Sequence, residues 1–160
     1  MPDDPFTEVL KKLWELLEAE PDVAALVKVG NRIKLWSGNT NPEAKDPEGD
    51  LTLGDLPLIV IEPAGGIFNP IMTSTDGMAE QVYRIKMKDG NLILSAVYFP
   101  LKWAICKALA SADALLGLSY VRSIVVEDGV EGRNTTGHPG WNLGIDIRVK
   151  MIWSRVFLKT

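Results

Sequence analysis

At 160 residues, 46% apolar and 24% charged, the chain has the make-up of one globular domain able to bury roughly two-thirds of its unfolded surface, which excludes wholesale disorder. A formal charge of −4 argues against sequence-specific nucleic-acid binding. The single cysteine, Cys106, excludes a disulfide framework and a cysteine-based zinc site. The charge is uneven: residues 1–62 hold 13 acidic and 6 basic side chains, whereas the remainder hold 8 and 11, a layout that either suits head-to-tail contacts between copies or is mere unevenness of composition. The N-terminal MPDDPF carries no export signal, and no apolar run approaches the ~18 residues of a membrane span, so a cytoplasmic protein without membrane contact is expected.

Asp4 followed by Pro5 reads as a helix start, a capping carboxylate before a proline at the first helical position. Phe6, Val9, Leu10, Leu13, Leu16 and Leu17 follow at helical spacing. Pro21 interrupts, and residues 22–29 suggest a short second helix packing through Val23, Leu26 and Val27. Residues 32–37 (RIKLWS) read as a short strand. A long connection from Gly38 to Asp55 follows, and then LPLIVIE, residues 56–62, an apolar run expected to be a strand buried on both faces and ended by Pro63 and Gly65-Gly66.

Residues 67–78 are expected to form a second long loop. Its Ile67, Phe68, Ile71 and Met72 would either tuck onto the core or form a contact surface. Residues 80–88 alternate as a strand, with Arg84, Lys86 and Lys88 on one face, and Asp89-Gly90 signals a turn. Residues 91–98 either continue as a strand or bridge into a helix that starts at Pro100 and ends at Gly117. That helix would turn Leu101, Ile105, Ala108, Leu109, Ala112 and Leu115 or Leu116 inward, with Cys106 as a small core residue.

Residues 120–127 read as a strand and 128–140 as a third long loop. The last strand is the clearest: Leu143, Ile145, Ile147, Val149, Met151 and Trp153 alternate with Gly144, Asp146, Arg148, Lys150 and Ile152. The order of elements predicts an α+β fold, with a mixed or mainly antiparallel sheet of about five strands and two main helices packed on one face.

The chain carries no nucleophile elbow, phosphate loop, zinc helix motif or dinucleotide fingerprint. Ala64-Gly65-Gly66 follows a strand but opens no helix, so it reads as a turn. His138, the one histidine, lies in NTTGHPGWN without a fixed partner; Asp128 and Glu131 are near only in sequence. Neither a catalytic residue nor a metal or cofactor is expected. Arg84, Lys86 and Lys88, together with Arg148 and Lys150, would form a basic stripe offset by Asp146 if their strands were neighbours. Such a stripe is either a solvated face or a surface turned to a partner subunit or channel. Of the five tryptophans, Trp14 lies near the edge of the first helix's apolar stripe and Trp36 and Trp141 at strand ends, positions that fit interfaces and core rims alike.

In its order of elements the chain resembles the tail terminator (tail completion) proteins of long-tailed bacteriophages, over EPDVAALVKVGNRIKLW, DLPLIVIEPAGG, EQVYRIKMKDG, FPLKWAICKALAS, LSYVRSIVVEDG and GWNLGIDIRVKM. The resemblance implies a non-enzymatic virion subunit that assembles in the host cytoplasm as a probable homo-hexameric ring at the head-proximal end of the tail. It would end polymerisation of the tail tube protein and meet a head-tail connector or neck protein, and a tail sheath if the tail contracts. Another neck component, or a small ligand-binding or hydrolytic domain using His138, are the alternatives. Ile67, Phe68, Ile71, Met72, Trp141 and Ile152 are then the candidate subunit or tube contacts. Arg84, Lys86, Lys88, Asp146, Arg148 and Lys150 are the candidate charged sheet face.

Overall fold

A computed structural model describes residues 4–36, 56–111, 116–135 and 139–154. The chain is α+β. Helices α1 (Pro5–Ala19), α2 (Pro21–Leu26) and α3 (Tyr98–Ala110) accompany strands β1 (Arg32–Ile33), β2 (Leu58–Asn69), β3 (Asp76–Asp89), β4 (Val121–Arg133) and β5 (Trp141–Ser154). The strands form one sheet in the order β1-β2-β3-β5-β4, parallel only between β1 and β2.

Helix α1 begins as its sequence dictates: the Asp4 carboxylate accepts from the Thr7 amide at 2.9 Å and from the Thr7 hydroxyl at 2.9 Å. Val9, Leu13, Trp14 and Leu17 are buried, so Trp14 is a core residue and not the stripe-edge residue that its spacing suggests. The α1 stripe and the Leu101, Ala104, Ile105 and Ala108 stripe of α3 close over one sheet face. There they meet Ile59, Ile61, Tyr83, Ile85, Ile147 and Val149. The inward set of β5 is buried from Leu143 to Met151 in strict alternation, as expected, and β5 sits between β3 and β4. Leu58 and Val60 face the other way and join Ile33 and Leu56 in a second small cluster, so the first half of β2 is buried on both faces.

Several boundaries differ from expectation. The segment 67–78 is a hairpin, not a long loop: β2 runs on through Pro63 and the two glycines to Asn69, and β3 starts at Asp76. A register shift between Pro63 and Gly66 absorbs the irregular residues. At Gly66, with φ +152°, a Cβ would lie 1.9 Å from the Glu80 carbonyl oxygen; the glycine there lets the pairing resume instead of ending it. Likewise β4 continues to Arg133, so the first residues of the expected third loop, 128–133, are strand. Asp89-Gly90 closes no hairpin, because β3 pairs with β2 and β5. Residues 91–97 bridge into α3, which begins two residues before Pro100 and ends at Ala110. The expected Ala112 and Leu115 contacts, the 38–55 connection and His138 lie outside the described residues.

Candidate functional site

Three surfaces emerge, and none of them is a catalytic constellation. Among the described residues no group of His, Cys, Asp and Glu could hold a metal ion, and no helix is long and apolar enough to cross a membrane.

The first surface is the β2–β3 hairpin tip. Ile67, Phe68, Ile71 and Met72 are 56, 56, 64 and 37% exposed, so they form an outward surface and do not tuck away. The tip is nevertheless well ordered. Met72 and Thr73 amides donate to the Asp76 carbonyl at 3.0 and 3.1 Å, and the Thr73 hydroxyl accepts from the Asp76 amide at 2.9 Å. At its base Phe6 meets Phe68 edge-on at 6.1 Å and Trp153 at 6.3 Å. Gly77 is required at this base, since a Cβ would stand 2.7 Å from both the Pro70 oxygen and Trp153 Nε1. Ile152, half-buried, pairs with Met78 where the hairpin leaves the sheet.

The second surface lies at the other end of the sheet. Helix α3 is apolar on its outer as well as its inner side, with Lys102 and Lys107 between the two, whereas an ordinary surface helix is apolar on one side. Its outward stripe is Phe99, Trp103, Cys106 and Ala110, all exposed; Trp103 is 64% exposed. Leu92 and Ile93, in the preceding turn, extend the patch. Cys106 is therefore a surface residue and not a core one. Trp141 is half-buried beside this patch, 6.2 Å from Tyr98, with its indole N–H donating to the Leu92 carbonyl at 3.2 Å. The sequence carried the signal: FPLKWAICKALA puts apolar residues on both sides of the wheel, and only the inner side can meet the sheet.

The third surface is the sheet face opposite the helices. Strands β3 and β5 are neighbours, and all six expected residues lie there, with Glu80 opposite Lys150 and Arg84 opposite Asp146. The expected basic stripe is instead a largely neutralised lattice. Arg84 holds Asp146 at 2.7 and 3.0 Å, Lys86 holds Glu62 at 2.8 Å, and Arg148 holds Glu127 at 2.5 Å and Glu80 at 3.5 Å. Glu80 falls in the same alternating set as Arg84 and Lys86, whereas Glu62 ends a continuous apolar run and Glu127 lies beside a register shift, so alternation does not assign their faces. The Arg84 guanidinium, through its hydrogen bonds, holds the Asp146 carboxyl below the usual range and is itself pushed up. Lys88 departs from the expectation of an exposed cation: it is 9% exposed.

Elsewhere, Tyr98 donates to Glu131 at 2.7 Å and Lys102 to the same carboxylate oxygen at 2.9 Å, tying α3 to β4. These two donors, Tyr98 first, hold the Glu131 carboxyl low. Asp89 is a different case. It is 3% exposed, its Oδ2 has no partner, and burial raises its carboxyl although the amides of Gly90 and Asn91 pull the other way. The folded chain therefore holds the Asp89 proton more tightly than the unfolded chain. Its contribution to stability is greatest below the ordinary carboxylate value of 3.8 and falls as pH rises toward the raised value. Asp89→Asn is expected to be more stable than the wild type at pH 7, by about 1 kcal/mol, and equal to it near pH 3. Urea melts at the two pH values measure this; a variant less stable at pH 7 contradicts it.

The sequence matches no protein-family model and no curated protein.

Proposed function

We propose that the chain is a structural subunit that works by assembling with copies of itself. Within that class we propose a tail terminator of a long-tailed bacteriophage, closing as a ring, a hexamer by resemblance, on the head-proximal end of the tail. One observation carries the reading: two apolar surfaces, the hairpin tip and the outward stripe of α3, stand at opposite ends of a sheet whose strands span roughly 45 Å. One copy cannot bring them together. The tip of one copy on the α3 stripe of the next is a heterologous contact, and repetition of such a contact closes a ring or extends a filament. Each patch exposes on the order of 400 to 500 Å² of apolar side chain, so the joint removes about 1,000 Å² before its polar rim is added, close to the ~1,200 Å² at which specific interfaces begin.

Such a subunit performs no chemistry and needs no cofactor. It would present one ring face to the tail tube protein and the other to a head-tail connector or neck protein, and its rim to a sheath if the tail contracts. Ring stacking on the tube would then use β4, an edge strand exposing Val125, Val126 and Val130. Electron microscopy of tails assembled without this chain tests the reading. Tubes of uncontrolled length are expected. Tubes of normal length that fail to join heads would instead make the chain a neck connector, and normal joined tails would remove both assignments.

A further inference from the structure

We infer that the cleft at the Lys88 end of the charged sheet face binds a phosphate-type oxyanion, an assignment independent of the ring reading. Four cationic residues, Arg84, Lys86, Lys88 and Arg133, line a depression of about 420 Å³. That volume falls within the ~300–1,000 Å³ of small-molecule sites. The depression exists because two of the residues flooring it have no side chain: Gly144 stands opposite Lys86, and Gly132 stands opposite Asn142.

The charges in the cleft do not balance. Arg84 and Lys86 have their carboxylates, Asp146 and Glu62, but both carboxylates lie outside the lining. Among the described residues lining the cleft the one carboxylate is Glu131, already held by Tyr98 and Lys102. Arg133 stacks over Trp141, its guanidinium carbon 5.8 Å from the ring centroid, and has no carboxylate among the described residues. Lys88 is the decisive residue. As a residue it is nine-tenths covered, its ammonium is not among the buried unpartnered atoms and so keeps access to the cleft, and it has neither an ion pair nor a hydrogen bond among the described residues. The stem is packed against its neighbours while the charged head stays open to the cleft, as amphipathic side chains do. An anion in the cleft supplies the missing partner.

The number and kind of donors define the ligand. A monovalent carboxylate would answer one cation. A multiply charged tetrahedral oxyanion answers Lys88 and reaches the free edge of Arg84, while Thr135 and Asn142 at the margin offer neutral polar groups. The same chemistry is presented by a small diphosphate and by the phosphodiester backbone of a nucleic acid, which would be held without regard to sequence.

Titration calorimetry of the full chain with pyrophosphate and, separately, with a short oligothymidylate tests the site. Sub-millimolar binding of either is expected: pyrophosphate alone identifies a small-molecule ligand, and oligothymidylate alone or both identify a phosphodiester site. Lys88→Met keeps the packed stem and removes the charge, and it is expected to weaken binding about tenfold or more without lowering thermal stability. Gly132→Glu places a carboxylate where an added Cβ meets nothing within 4 Å, and it should abolish binding even if the Lys88 variant fails to fold. Absence of binding by both probes overturns the inference. So does binding unchanged in Gly132→Glu, or a glutamate-rich peptide that binds more tightly than either probe.

Discussion

The double variant Ile67→Ser, Ile71→Ser is expected to be a folded monomer, and so is Trp103→Ser; an equimolar mixture of the two is expected to form a 1:1 heterodimer and nothing larger. The logic follows from the placement of the patches. The first variant loses the hairpin tip and keeps the α3 stripe, whereas the second does the reverse. A head-to-tail contact is therefore still available once per mixed pair, with no free end left to extend it. If the wild type instead paired patch to identical patch, one of the two variants would still dimerise by itself and mixing would change nothing. Central apolar anchors of an interface are worth about 2 kcal/mol or more each, so the single-patch variants should lose on the order of 100-fold in self-affinity. Because all three positions are more than half exposed, the effect on folding should stay under about 1 kcal/mol. Light scattering across a concentration series reads the masses directly.

The largest effect on stability is expected from Ile147→Ala. Ile147 is fully buried on β5, between Tyr83 of β3 and Val126 of β4, and it faces the helical layer. Removing three carbons there leaves a cavity that the strands on both sides hold open, at a cost of about 2–5 kcal/mol. For a chain of this size each kcal/mol shifts the melting temperature by roughly 2–4 °C, so a drop of about 5–20 °C is expected. The adjacent outward residue provides the contrast. Asp146→Ala removes the carboxylate held by Arg84 on a partly exposed face, where such pairs contribute about 0–1 kcal/mol. Two neighbouring residues on one strand thus separate the face that holds the fold from the face that meets its surroundings. Similar losses at both positions would contradict that division.

How much of this was legible before the structure varies by residue. The alternation of β5 and the stripe of α1 announce themselves, because a strand with one buried face and a helix with one buried side write their periods into the sequence. The hairpin was missed because Pro63 and Gly65-Gly66 look like a stop. In the fold they are a bulge, which only the partner strand can reveal, since pairing resumes where Gly66 lets the Glu80 carbonyl approach. Misreading the hairpin as a loop hid that its apolar residues are displayed on an ordered arm. The sequence places Cys106 in the core because it sits beside Ile105 in an apolar helix; the sheet covers only one side of that helix. In the sequence Lys88 is one cation among several in an alternating row. Its burial depends on strands distant in sequence, and so does the glycine-floored cleft beside it.

Cross-linking tests the head-to-tail arrangement most directly. Cys106, the single cysteine, lies on the outward stripe of α3, and Ile71→Cys adds one thiol at the hairpin tip. Treated with a short bis-maleimide under assembling conditions, including with tail tubes present, the wild type is expected to give at most dimers. Ile71→Cys is expected to give a ladder of covalent species that stops at the mass of a closed ring. The double variant Ile71→Cys, Cys106→Ser should lose the ladder and fall back to dimers at most. Ile71→Cys protein that never proceeds beyond dimers, alone or on tubes, would show that the tip does not meet the α3 stripe of a neighbour.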